Sequence, residues 1–430
     1  MRFSVPGPFS TPRRSAALLL PALLVAALAV ACSSKATNRD DISNQPPRTD
    51  ALSKIVVPAG QPLIVGISEP MTGSESAAGI EERDSALTSL MRWKAKNGSQ
   101  IVGHDIQVRV EDDGCTDGNI AVQAAERLLR TPGLVGVLGP SCSAGAKKSI
   151  PTYAKGGIVA ISGSATESDL TTGQPSGDFF FRTSYRSELQ GLIGGQFVAQ
   201  TLQAKTAYLI DDGESYGQDL IEDASAEMQA LGVSVTRESI SRGTVDFSAL
   251  AKKIATANPD FVGFGGYNPE AVLLYRQLRD ADYKGPFGAG DAAATISTFV
   301  EPVGAQAEGV YFVGCPLALA DDFLKDFESV HGGPPVASAF VAQYADGATI
   351  LLDGVSQVAQ RQPDGSLTID PTALRNAVSR TRMAGGVSGN VAFDSVGDRA
   401  TAGGDLTQQA KDLGLAACQV QNGKLVNLFP

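Results

Sequence analysis

Histidine is scarce: the 430 residues contain only His104 and His331. Neither stands near a candidate nucleophile motif, so no Ser-His-Asp or Cys-His arrangement is available. G-x-x-x-x-G-K-[ST] is missing, which removes a phosphate-binding loop. No C-x2-C occurs among the five cysteines, and the spacing fits no zinc pattern. Basic runs are missing too. Lys+Arg total 35 against 46 Asp+Glu, a net charge of −11, so nucleic acid is a poor candidate ligand. Gly288-x-Gly290-x-x-Ala293 meets only the loosest dinucleotide fingerprint, late in the chain. The expectation is a protein that does no covalent chemistry and carries no cofactor or metal.

What is present begins with an address. Arg2, Arg13 and Arg14 precede the apolar run Leu18–Val30, and Leu28-Ala29-Val30-Ala31-Cys32 ends it with small residues before a cysteine. A run this short reads as a secretory signal and not as a membrane span. The ending resembles a bacterial lipobox, which would make Cys32 the lipidated first residue of an exported protein. Arg13-Arg14 alone does not choose an export route. Residues 32–61, rich in Ser, Asn, Asp, Thr and Pro, cannot bury enough surface to order themselves and read as a flexible tether reaching about 30 Å. Residues 1–31 hold three Arg and no acids, so without them the charge moves from −11 to −14.

Residues 62–430 exceed what one core usually supports, and two domains are expected. Short apolar runs alternate with amphipathic ones. Strands are expected at Leu63–Ser68, Ile106–Glu111, Leu134–Leu138 and Ile158–Ile161, with helices at Ile80–Lys96, Asn119–Arg130 and Ser143–Lys155. The pattern resumes with Ser187–Leu202 as helix and Thr206–Ile210 as strand, then Glu214–Leu231, Val233–Ile240, Ser248–Thr256, Phe261–Gly265 and Glu270–Ala281. Strands spaced by helices imply parallel sheets with both faces covered. Two such sheets are expected, beginning near Leu63 and Thr206.

Ligands of such sheets sit beyond the carboxyl ends of the strands. The loop Gly139–Ser143 leads into a helix whose free N–H groups and positive dipole end suit a carboxylate, with Ser143 adding a hydroxyl. Ser143 could equally be a plain helix cap. Ser164 and Thr166 lie in a similar turn, Ser162–Asp169. Asp291, after Gly288-Ala289-Gly290, could hold an ammonium or cap a short helix. Tyr216 and Tyr267, at loop-to-helix junctions, could cover a ligand or simply pack. Four cysteines follow Cys32, and an even number in an exported chain implies disulfides, with three pairings open.

Taken in order, these segments resemble the leucine/isoleucine/valine-binding protein family, the type I periplasmic binding proteins of ABC transporters. The residues that carry the resemblance are Gly66–Gly73, Glu111–Cys115, Gly139–Ser143, Ser164–Thr171, Asp211–Gly217, Gly265–Glu270 and Phe393–Asp398. It implies an α/β fold of two Rossmann-like lobes with parallel sheets, joined by a three-segment hinge. Lobe I is expected at 62–184 and 315–390, and lobe II at 185–314 and 391–430. It implies Ser143 and Thr166 for a ligand carboxylate, Thr166, the Ser164 carbonyl and Asp291 for its ammonium, and Tyr216 and Tyr267 as the cover from lobe II. Ala78 stands where an aromatic often lines the side-chain pocket. The resemblance also implies a Cys115–Cys142 disulfide; Cys315 and Cys418 are then left as a second pair that no family pattern requires. Implied partners are an amino acid, branched-chain or related, an ABC permease and, through the lipid anchor, the outer face of the cell membrane, with the protein itself a monomer. The same cleft could serve a sensor, or take a carboxylate or amide that is not an amino acid.

Overall fold

The computed structural model describes residues 53–172 and 179–428. The far end of the expected tether is ordered, since Ile55–Val57 is a strand paired antiparallel with Leu367–Ile369 and Ile55 and Val57 are buried. The signal segment, Cys32 and the tether before residue 53 lie outside the described residues. Among these, no helix is long and apolar enough to cross a membrane.

Two parallel sheets form the frame. The first runs, edge to edge, through Gln100–Ile101, His104–Asp112, Leu63–Glu69, Leu134–Leu138, Ala160–Ser162 and Phe180–Arg182, and only the short first strand is antiparallel. Every residue of Leu63–Glu69 and Leu134–Leu138 is buried, as expected for strands covered by helices on both faces. The second sheet runs through Lys424–Asn427, Ala417–Gln421, Tyr311–Val313, Phe287–Ala289, Phe261–Gly265, Thr206–Asp211 and Ser234–Ser239. Its first two strands are antiparallel additions at one edge. The strands Leu134–Leu138 and Phe261–Gly265 and the helix Ser143–Lys155 have the bounds the sequence suggests.

Each sheet has its own apolar core. Val65, Ile67, Val137, Ile161 and Leu351 belong to the first, and Ile210, Val262, Phe264, Phe287 and Phe312 to the second. The helix Val341–Val358 returns to the first sheet and packs beside the helix Ser76–Asn97, where the Trp93 indole N–H donates to Asp353 at 2.8 Å.

The chain passes between the lobes three times. After Phe180–Arg182 it enters the helix Ser187–Gln196; after Tyr311–Val313 it returns; and it leaves the first lobe again beyond Arg399. This last crossing comes later than residue 391. Val391 and Phe393 lie in the first core, and Arg399 donates to the carbonyls of Thr183 and Ser388. Asp398 pairs with Arg182, which is fully buried, so the segment through 399 is held to the first sheet by charge as well as packing.

Candidate functional site

All seven residues singled out in the loops, Ala78, Ser143, Ser164, Thr166, Tyr216, Tyr267 and Asp291, line one cavity between the lobes. Each reaches it for a local reason. Gly139, at φ +100°, turns the chain off its strand, and a Cβ there would stand 2.1 Å from the Ser68 carbonyl oxygen. The helix Ser143–Lys155 then starts at the cavity wall with Cys142 as its N-cap, so Ser143 is the first helical residue and not the cap. Its hydroxyl oxygen accepts the Glu167 N–H at 3.1 Å, leaving the hydroxyl proton to be donated. Cys142 is bonded to Cys115, tying this loop to its neighbour.

Thr166 is held from the opposite side. Its carbonyl accepts the Ser187 N–H at 2.8 Å, and Arg182 donates to the carbonyls of Ala165 and Glu167 on either side. The guanidinium therefore fixes the backbone of the turn that presents Ser164 and Thr166.

The second lobe supplies an acid and two aromatic rings. Asp291 opens a short helical turn and is 3% exposed. It accepts the Tyr185 hydroxyl at 2.9 Å, and the Ala292 N–H, Gln190 and Tyr216 also bear on it. Burial outweighs these donors and raises its carboxyl to about 6. Gly314, at φ +93°, permits the approach of the hinge: a Cβ there would lie 2.6 Å from that of Asp291 and 2.3 Å from the Tyr185 hydroxyl. Tyr216 and Tyr267 pack with ring centroids 5.6 Å apart, against the Cys115–Cys142 bond of the other lobe. The Tyr216 hydroxyl is buried beside Asp291 without a hydrogen bond of ordinary geometry.

The cavity thus has hydroxyls and a helix N-terminus on one wall and a carboxylate on the facing one. Such an arrangement suits a small ligand with a negative and a positive end.

A family model described as periplasmic binding protein matches residues 62–412. The chain belongs to this family. The chain is 32% identical over 234 residues to an amino acid binding protein of Pseudomonas aeruginosa, a match over 54% of this chain and 61% of that protein. It is 27% identical to the leucine-, isoleucine-, valine-, threonine-, and alanine-binding protein of the same organism, over 79% of this chain and 88% of the relative. Among solved structures, the branched-chain amino acid transporter substrate binding protein LivJ from Streptococcus pneumoniae in complex with isoleucine superimposes with a TM-score of 0.71 at 22% identity, covering 86% of this chain and all of that one. An R. palustris solute binding protein in complex with benzoate gives 0.69 at 19%, covering 86% and 96%.

This periplasmic binding protein has site residues that its loops did not reveal. Glu82 lines the cavity from the helix Ser76–Asn97 and Glu75 from that helix's N-cap, and Ala337–Phe340 close it from the second crossing. Glu81 on the same helix accepts the N–H groups of Val336, Ala337 and Ser338 at 2.7–3.0 Å and so holds that crossing in place. The signal available in the sequence was three glutamates, Glu75, Glu81 and Glu82, in and beside an otherwise Ala- and Ser-rich helix start. A charge there ordinarily faces water.

Proposed function

We propose that this chain is the lipid-anchored, extracytoplasmic receptor of an ABC importer, and that it holds an α-amino acid between its lobes. One observation carries the reading: Asp291 of the second lobe and Ser143 with its helix N-terminus in the first are buried and line the same cavity. A zwitterion needs both ends met at once, because burying either charge unpaired is costly. The relatives named for amino acids support the same reading. The protein binds without converting its ligand, and the permease takes the ligand from it.

The benzoate-bound neighbour raises a second reading, a plain carboxylate as ligand. Asp291 speaks against it, since a benzoate would leave that acid unmatched. A thermal-shift screen of the purified protein against the common amino acids and benzoate decides between them. A ligand at a hundredfold excess over Kd stabilises the fold by about 2.7 kcal/mol, a clear rise in Tm. A rise with at least one amino acid and none with benzoate is expected; the reverse pattern would overturn the reading.

A further inference from the structure

Beside the Ser143 loop the cavity wall is polar, where a branched aliphatic side chain would need apolar contact. Glu82 lines it, 2% exposed. Its carboxylate accepts the Ser141 hydroxyl at 2.7 Å, the Ser338 hydroxyl at 2.8 Å and, more weakly, the Ser164 hydroxyl at 3.4 Å. No cation is among its partners in the described residues, and its other neighbour is Glu69. Burial first and then the Glu82 carboxylate push the Glu69 carboxyl well above its ordinary value, while burial raises Glu82 as well. Buried charges are normally paired, and a carboxylate offers about four acceptor sites. Three hydroxyls and the neighbouring Glu69 carboxyl surround Glu82, and no described side chain gives it a counter-charge.

Ala78 explains why this carboxylate reaches the cavity. Positions 78 and 82 are one turn apart on one helix face, so a large side chain at 78 would lie over Glu82. A methyl group leaves it open.

We propose that the Glu82 end of the cavity is a subsite for a ligand side chain bearing a hydrogen-bond donor (a hydroxyl, amide or ammonium) and that it discriminates against branched aliphatic side chains. This rests on the amino-acid reading above. A leucine or valine side chain would bury the Glu82 carboxylate against methyl groups, whereas a donor, above all an ammonium, would meet it.

The test is calorimetric titration of the whole purified protein with near-isosteric pairs: threonine against valine, asparagine against leucine, ornithine against norleucine. In at least one pair the donor-bearing member should bind about tenfold or more tightly. The preference should fall towards unity in Glu82→Met, and donor-bearing ligands should weaken in Ala78→Phe. The wild-type ratios stand even if a variant folds poorly. Valine, leucine and norleucine binding as tightly as their partners overturns the subsite and leaves the amino-acid reading intact. Failure of every amino acid to bind overturns both.

Discussion

Arg242 of the second lobe grips Glu75 of the first: the guanidinium and carboxylate stand 2.9 Å apart across the cavity mouth. The same guanidinium pairs with Glu270 and lies 4.6 Å over the Tyr267 ring. One residue therefore joins a lobe I carboxylate to a ring that lines the cavity. Any parting of the lobes at this contact would separate Arg242 from Glu75 and return Glu75 to water. In stopped-flow measurements Arg242→Gln should speed ligand release by about ten- to a hundredfold, with a much smaller effect on association. Unchanged release would mean that the pair does not hold the cleft shut.

Asp291 sets the pH response. Burial raises its carboxyl to about 6, so below that pH the free protein carries a proton where the proposed ligand ammonium would sit. Affinity should be level above about pH 7 and fall by up to tenfold per pH unit below 6, with proton release seen by calorimetry in two buffers. A flat profile down to pH 4.5 would contradict this. The stability sign is opposite. An acid whose folded value is raised favours the fold at pH below its ordinary range, and that contribution is lost as pH rises through 6. The unliganded Asp291→Asn variant should therefore melt above its parent at pH 8, and below pH 4 the difference should vanish.

The two disulfides should fail differently. Cys315–Cys418 closes a sequence separation of 103 residues and ties the second crossing to a strand of the second sheet, away from the cavity. Replacing both with serine should cost roughly 4–5 kcal/mol of stability by the loop-entropy argument, with little change in ligand Kd. Cys142 lies in the cavity wall, so removing Cys115–Cys142 should lower both Tm and affinity. Equal effects on binding would show that the Gly139–Ser143 loop does not depend on its bridge.

The sequence carried the strand ends well because parallel strands covered on both faces are uninterrupted apolar runs and the loops after them are dense in Gly, Ser and Asp. That logic reached Ser143, Thr166, Tyr216, Tyr267 and Asp291. It could not reach Glu82, which sits inside a helix and is made part of the cavity by Ala78 one turn away and by serines 59, 82 and 256 residues distant. Nor could it reach Ala337–Phe340, a stretch with no periodic signal that is positioned by Glu81. The late exit from the first lobe escaped for a similar reason: Phe393 against Phe181, at 5.1 Å, and Asp398 against Arg182 are long-range pairs. The antiparallel strands Ala417–Gln421 and Lys424–Asn427 are short and the second is largely exposed, with no helix between them to mark them as separate units.

The central claim is that opposite charges on one guest are met from opposite lobes. Its most direct test is calorimetry of wild type and Asp291→Ala with the best amino acid from the screen and with the same molecule lacking its amino group. The account predicts that the variant loses amino-acid affinity by about a hundredfold or more, while its affinity for the deamino compound stays unchanged. Equal amino-acid affinity in the two proteins would contradict it.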